Sequence, residues 1–116
     1  MYKSSIENDI SMWRKYGFYI HLERDSVNNG KINYHTHGIL HSRGKADFLI
    51  TQPIDPGLAR IIFTELVSML DNGYTIDEGT IIEDFLGGIT LEFSKPKNNE
   101  DNMILQVNVN GVEFWF

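Results

Sequence analysis

The clearest hydrophobic pattern in the chain is that of an amphipathic helix near its middle. Asp55 stands where a helix N-cap is expected, and Pro56 occupies the first helical position. Gly73 follows the last turn, where glycine commonly ends a helix. The pattern predicts a helix over residues 56–71 that packs on the core. The apolar residues at helical spacing are Leu58, Ile61, Ile62, Leu66, Met69 and Leu70.

Two further helices are predicted from capping signals. Ser4–Glu7 has the spacing of a capping box, in which a serine caps the first turn and a glutamate reaches back to it. With the apolar residues that follow, it predicts a helix over residues 5–16 that ends at Gly17. Thr80–Glu83 repeats the capping pattern and predicts a short helix that continues to about Leu86.

Alternating apolar and polar residues predict strands in most of the remaining chain. Together with the main helix they predict a single domain over residues 1–116, with a two-layer α+β fold. We expect an antiparallel sheet of about five or six strands, with the 56–71 helix on one face and the N-terminal helix at an edge or on the opposite face. The predicted strands are Phe18–Glu23, Lys31–Leu40, Ala46–Thr51, Ile89–Ser94 and the two arms of a hairpin around Asn110-Gly111.

The register of the first hairpin decides which polar residues meet. A two-residue turn and a three-residue turn both fit the residues before and at Gly30. The three-residue turn puts the apolar side chains of both strands on one face, and a buried face normally decides such a choice. We therefore expect His21 to lie opposite His37 and Glu23 opposite His35, on the face turned away from the core.

The composition is that of an ordinary globular protein: 116 residues, 41% hydrophobic and 22% charged. The chain has no cysteine, which excludes disulfides, thiolate nucleophiles and cysteine-ligated zinc. No apolar run suits a signal peptide or a membrane span, so we expect a soluble cytoplasmic protein with no membrane partner. The net charge of -6 argues against general nucleic-acid binding.

The charge is unevenly distributed along the chain. Residues 21–45 hold four basic and two acidic residues, a net +2 that leaves -8 for the rest of the chain. All four histidines lie in the same stretch: His21, His35, His37 and His41. A locally basic, histidine-rich patch in an acidic protein is suited to attract a small anion.

Anion recognition accounts for both the charges and the histidines of this stretch. Protonated imidazoles and neighbouring cations would hold a phosphate, while an aromatic ring stacks on a base. This interpretation predicts a small binding protein for a phosphorylated or nucleotide-like molecule, for instance one that sequesters a nucleotide signal, and it assigns no cofactor and no catalytic residue. Its predicted ligand-binding residues are Tyr19, His21, Arg24, His35, His37, Arg43, Lys45 and Trp115.

Three other interpretations of the histidines stay open. His21, His35, His37 and Glu23 could bind zinc or another divalent transition metal. Opposed imidazoles could instead serve as acid and base in a histidine-dependent phosphodiesterase. The polar sheet face could also meet only water, the N-terminal helix or a second subunit, which describes an interaction module without a small-molecule site. Trp115 on a polar face favours such a homo-oligomer.

A set of short motifs follows in order along the chain: Tyr34-His35-Thr36-His37-Gly38-Ile39, Ala46-Asp47-Phe48-Leu49, the helix to Leu70, Gly73, Gly79 and Phe85-Leu86-Gly87. In this order the motifs are similar to those of a family of small bacterial proteins catalogued only as a domain of unknown function. The family strand reads Phe-x-Tyr-Thr-x-Gly-Leu, and the resemblance covers roughly residues 17–94. This chain differs in having histidine at two positions of that strand, and Ala-Asp where Pro-Glu is usual. The resemblance implies a compact α+β domain and no established activity.

Overall fold

In the part of the chain that the structure describes, a six-stranded sheet is accompanied by one long helix and one short helix, besides helical residues near the N-terminus. The structure, a computed structural model, describes residues 11, 14–25, 31–96 and 103–111. The strands are β1 (Tyr19–Asp25), β2 (Lys31–His37), β3 (Asp47–Ile50), β4 (Ile81–Phe85), β5 (Ile89–Ser94) and β6 (Ile104–Asn110), and the helices are α1 (Ile39–Arg43) and α2 (Pro56–Asp71).

The strands lie in the order β1-β2-β3-β6-β5-β4, which confirms the predicted α+β class. Four of the neighbouring pairs are antiparallel, as expected, but β3 and β6 run parallel. The sheet is therefore mixed. A parallel pair needs a long connection, and the segment from β3 to β6 supplies one because it contains α2 and the β4–β5 hairpin.

Helix α2 has the predicted bounds and the predicted N-cap. The Asp55 carboxylate accepts hydrogen bonds from the backbone N–H groups of Gly57 and Leu58, at 2.8 and 3.3 Å. The helix buries Ala59, Ile62, Phe63, Leu66 and Val67 in a core shared with the sheet. Ile61, which was assigned to the predicted apolar face, is instead 49% exposed.

The helix predicted from Thr80 to Leu86 is wrong, because residues 81–85 form β4 and pair with β5. The Thr80 hydroxyl still accepts a backbone hydrogen bond, but from Asp77, so the capping pattern stabilises a turn rather than a helix. The pairing of β4 shifts register before Phe85, where Asp84 has a positive φ of 53°. Pairing with a neighbouring strand prevails here over a short local signal.

Strand β2 ends at His37, three residues earlier than predicted, and the chain turns at Gly38 into α1. The turn needs glycine because φ is 103° at this position. The Asp47 carboxylate accepts hydrogen bonds from the Thr36 hydroxyl at 2.8 Å and from the Ile39 N–H at 3.0 Å. The Thr36 oxygen in turn accepts one from the N–H of Phe48. These bonds tie the end of β2 to the start of β3.

The N-terminal helix lies mostly outside the described residues, as does the second arm of the hairpin predicted around Asn110-Gly111. Residues 14–16 are helical, and Gly17 has a φ of 79°, in agreement with a helix that ends there. The predicted packing of that helix lies outside the described part of the chain.

The side chain of Gln52 extends the sheet beyond the end of β3. Its amide nitrogen donates to the carbonyl of Val109 at 2.9 Å, and its amide oxygen accepts from the N–H of Val109 at 2.6 Å. The side chain thus takes the place of one more residue of a paired strand.

We predict that Gln52→Ala lowers the free energy of unfolding by about 1–3 kcal/mol, because both backbone groups of Val109 lose their partner. Urea unfolding at neutral pH measures this. The matched control is Gln106→Ala, whose amide donates to the exposed hydroxyl of Thr51. The control should change stability by no more than about 0.5 kcal/mol, and equal losses in the two variants would contradict the prediction.

Candidate functional site

Three of the four histidines lie together on the sheet face opposite α2, which we call the outer face. His21 pairs with His35 and Tyr19 with His37. The predicted register, with His21 opposite His37, is wrong by two residues because the connection spans residues 26–30 rather than three residues. A shift by two preserves the side of the sheet on which each residue lies, so the predicted shared face is correct.

The three imidazoles are close enough to share one ion. Each offers a ring nitrogen, and these nitrogens all lie within 4.8 Å of one another. The Nε2 atoms of His35 and His37 are 2.9 Å apart. His21 is exposed, whereas His35 and His37 are half-buried. We call His21, His35 and His37 the histidine cluster.

Two neighbouring side chains orient the rings of the histidine cluster. The Oδ1 atom of Asn33 lies 2.9 Å from Nδ1 of His35. An amide oxygen can only accept, so this contact favours the tautomer in which Nδ1 of His35 carries the proton and the neutral ring has its lone pair on Nε2. Tyr19 stacks on His37 with ring centroids 5.0 Å apart.

The short distance between His35 and His37 limits the charge that the histidine cluster can carry. Two nitrogens 2.9 Å apart form one hydrogen bond with a single proton between them. If both facing nitrogens were protonated, two N–H groups would point at each other. The space between these two nitrogens therefore suits one proton or one metal ion, but not two protons.

A groove of about 460 Å³ borders the histidine cluster on the outer face. It opens where β2 and β3 separate, since the two strands pair only at Tyr34–Ile50 and His35–Leu49. His35 and His37 line the groove, together with apolar residues that include Leu40, Leu49, Met103 and Ile104. The site thus combines ring nitrogens with an adjoining apolar surface.

The structure does not bring Arg43 or Lys45 to the histidine cluster. Arg43 lies on the side of the sheet that carries α2, where its Nε and Nη2 atoms donate to the carboxylate of Asp71 at 2.7 and 3.1 Å. Its guanidinium also lies over the ring of Phe18. Lys45 lines a separate recess with Asp77, Glu78 and Lys95 among its neighbours. Arg43 and Lys45 therefore do not form one patch with the histidines.

Other predicted site residues lie outside the described part of the chain. This applies to Trp115, and with it to the aromatic residue that favoured a homo-oligomer. It also applies to the side chains of Arg24 and Glu23, whose backbone positions pair with Ile32 and Asn33. The predictions for these three side chains stay predictions.

Three residues that complete the site were not predicted from the sequence: Asn33, Leu49 and Met103. Asn33 could have been found, because it precedes His35 by two positions and so shares its face of the strand. Leu49 and Met103 lie in the groove because β3 pairs with β2 and β6. The local sequence around these residues does not predict that pairing.

Comparison of the chain with protein-family models, curated proteins and solved structures finds no match. The resemblance drawn from the short motifs therefore stays a prediction. Within the described residues, no helix is long and apolar enough to cross a membrane.

The ion pair between Arg43 and Asp71 should make the stability of the protein depend on pH. The hydrogen bonds from Arg43 hold the pKa of the Asp71 carboxyl below its ordinary value; burial opposes this effect, and the positive charge of Arg43 adds to it. A carboxyl whose pKa is lowered by folding stabilises the protein above its unfolded pKa of about 3.9, and this contribution disappears as the pH falls through the folded value.

We predict that Asp71→Asn destabilises the protein at neutral pH by no more than about 1 kcal/mol, because the carboxylate is half-exposed. The deficit relative to the native chain should shrink as the pH is lowered below about 4. Urea unfolding at several pH values measures it, with Glu65→Gln on the same helix as the control. A deficit that is constant over this range would contradict the predicted ion pair.

Proposed function

We propose that this protein binds a divalent transition-metal ion, preferably zinc, through His21, His35 and His37, and that the ion holds a small anionic ligand. The observation that carries the proposal is the presence of three ring nitrogens within 4.8 Å of one another on two paired strands. Imidazole nitrogen is a common ligand of zinc and of other transition metals.

The spacing of the nitrogens is close to what zinc requires. Zinc–nitrogen bonds of 2.0–2.1 Å in tetrahedral geometry separate two ligand nitrogens by roughly 3.3–3.4 Å. The distance between His35 and His37 is 2.9 Å, and His21 lies across from His35 on the neighbouring strand. Small rotations of half-buried or exposed rings would therefore complete the site, while the strands hold the backbone in place.

Asn33 supports the same proposal from outside the ligand set. A metal-binding histidine usually donates its second ring N–H to an oxygen, which fixes the tautomer and the direction of the ring. Asn33 accepts from Nδ1 of His35 in this way, and so leaves Nε2 directed at the other two histidines. The contact between Tyr19 and His37 restrains a second ring.

An anionic ligand follows from the charge of the proposed metal site. Neutral imidazoles leave the ion with its charge of +2, and three protein ligands leave at least one coordination position open. An anion at that position would reduce the charge. The proposal thus retains the small anionic ligand predicted from the sequence, and the predicted cytoplasmic location, without requiring Arg43 or Lys45.

The open coordination position also favours a second candidate, metal-dependent hydrolysis of a phosphodiester. Sites with three histidines and an open position occur in zinc enzymes, where the ion makes bound water acidic. Incubation of the zinc-loaded protein with cyclic and linear nucleotides distinguishes the candidates. Recovery of intact ligand after heat denaturation supports binding, and an altered product supports hydrolysis.

We predict that the untagged, metal-free protein binds one zinc ion per chain in a calorimetric titration. Zinc at 100 times its Kd should raise the free energy of unfolding by about 2.7 kcal/mol. His37→Ala should weaken binding by more than the roughly 10–100-fold typical of losing an outer-shell partner.

His41→Ala is the matched control, since His41 lies on α1 outside the histidine cluster. Its zinc affinity should equal that of the native chain. Absence of any heat of binding, or equal losses in the His37 and His41 variants, would contradict the proposal.

We also predict that Asn33→Ala lowers zinc affinity by roughly 10–100-fold, because His35 loses the acceptor that orients it. Asn33→Asp should retain the affinity, since a carboxylate also accepts from Nδ1. Asn108→Ala provides a control on the same face, where the amide donates to the carbonyl of Glu92 and the hydroxyl of Ser94. An unchanged affinity in Asn33→Ala would show that the hydrogen bond has no role in metal binding.

A further inference from the structure

We infer that the ligand of this metal site is an amphiphilic carboxylate, whose charged end binds the ion and whose apolar body lies in the groove beside it. The inference rests on the proposed function, and it narrows the ligand class. It replaces the nucleotide-like ligand expected from the sequence with a short aliphatic or aromatic acid.

The groove and the histidine cluster share two residues. His35 and His37 line the groove, and both also contribute nitrogens to the cluster. A ligand atom at the open position of the metal would therefore have the groove directly beside it. The volume of about 460 Å³ is in the range of small-molecule sites.

The surface of the groove favours an apolar body. Leu40 and Met103 are 38% and 51% exposed, and Leu49 and Ile104 are half-buried between the strands. Among the described residues that line the groove there is no lysine or arginine, and these are the side chains that most often bind phosphate. Apolar atoms of a ligand would cover exposed apolar atoms of the protein.

Among the described residues that line the groove, one carboxylate, that of Asp47, favours a singly charged ligand. Asp47 accepts hydrogen bonds from the Thr36 hydroxyl and from the N–H groups of Ile39 and Leu40, so it is engaged within the fold. Its negative charge nevertheless repels other anions, and it repels a doubly charged phosphate more than a singly charged carboxylate. Metal and groove together therefore select a carboxylate with an apolar body.

The test compares ligands on the zinc-loaded native chain by titration calorimetry. The probes are acetate, butyrate, hexanoate and octanoate, with inorganic phosphate and adenosine monophosphate for comparison. Affinity should rise with chain length, by up to about fourfold for each methylene that enters the groove. Octanoate should bind more tightly than either phosphate compound. Octanoate no tighter than acetate, or adenosine monophosphate tighter than octanoate, would overturn the inference.

A double variant tests whether the apolar part of the ligand binds in the groove. Leu40→Ser combined with Met103→Ser should lower octanoate affinity by about tenfold, with acetate and zinc affinities unchanged. The matched control is Ile61→Ser combined with Ile81→Ser, which alters similarly exposed apolar residues on α2 and β4. The control should bind octanoate like the native chain. Equal octanoate affinity in the two double variants would overturn the inference.

The proposed metal site and the proposed ligand class can be rejected separately. If the native chain binds no zinc, the proposed metal site is wrong and the inference is wrong with it. If zinc binds and chain length has no effect on carboxylate affinity, the metal site stands and the amphiphilic ligand is rejected.

Discussion

The burial of one face of β2 is the constraint on which the site depends. Tyr34 and Thr36 are almost completely buried, and the Tyr34 hydroxyl donates to the carbonyl of Ile54 at 2.6 Å. Successive side chains of a strand point to opposite faces. Since Tyr34 and Thr36 are held in the core, His35 and His37 must lie on the outer face. The histidine cluster is thus a consequence of core packing.

The surroundings of the histidine cluster support the proposed metal site over a merely polar surface. A polar sheet face in contact with water alone would not require one imidazole to be oriented by an amide and another to be stacked on a tyrosine. Here Asn33 directs the ring of His35, and Tyr19 restrains His37. The apolar groove beside them adds a place for a ligand body, which the charges of the chain alone did not suggest.

The predictions that succeeded depend on long or repeated patterns. Helix α2 has 16 residues with a capping aspartate, and its bounds agree with the prediction. The prediction for residues 80–86 failed because it depended on one short capping pattern, and pairing with β5 decided the structure there. The predicted register of the first hairpin is wrong for a related reason. The prediction depends on a turn of two or three residues before β2, whereas the observed pairing requires a longer connection.

The sequence by itself determined which residues share a face, because strand alternation has a period of two and a register shift of two residues preserves it. It therefore placed His21, His35 and His37 together before their partners were known. Only the tertiary structure decided that Arg43 binds Asp71 on the other side of the sheet. The groove, too, arises only where β2 and β3 separate and β6 pairs beside them. Such contacts join segments that are distant along the chain, so the sequence around one residue does not predict which residue it will contact.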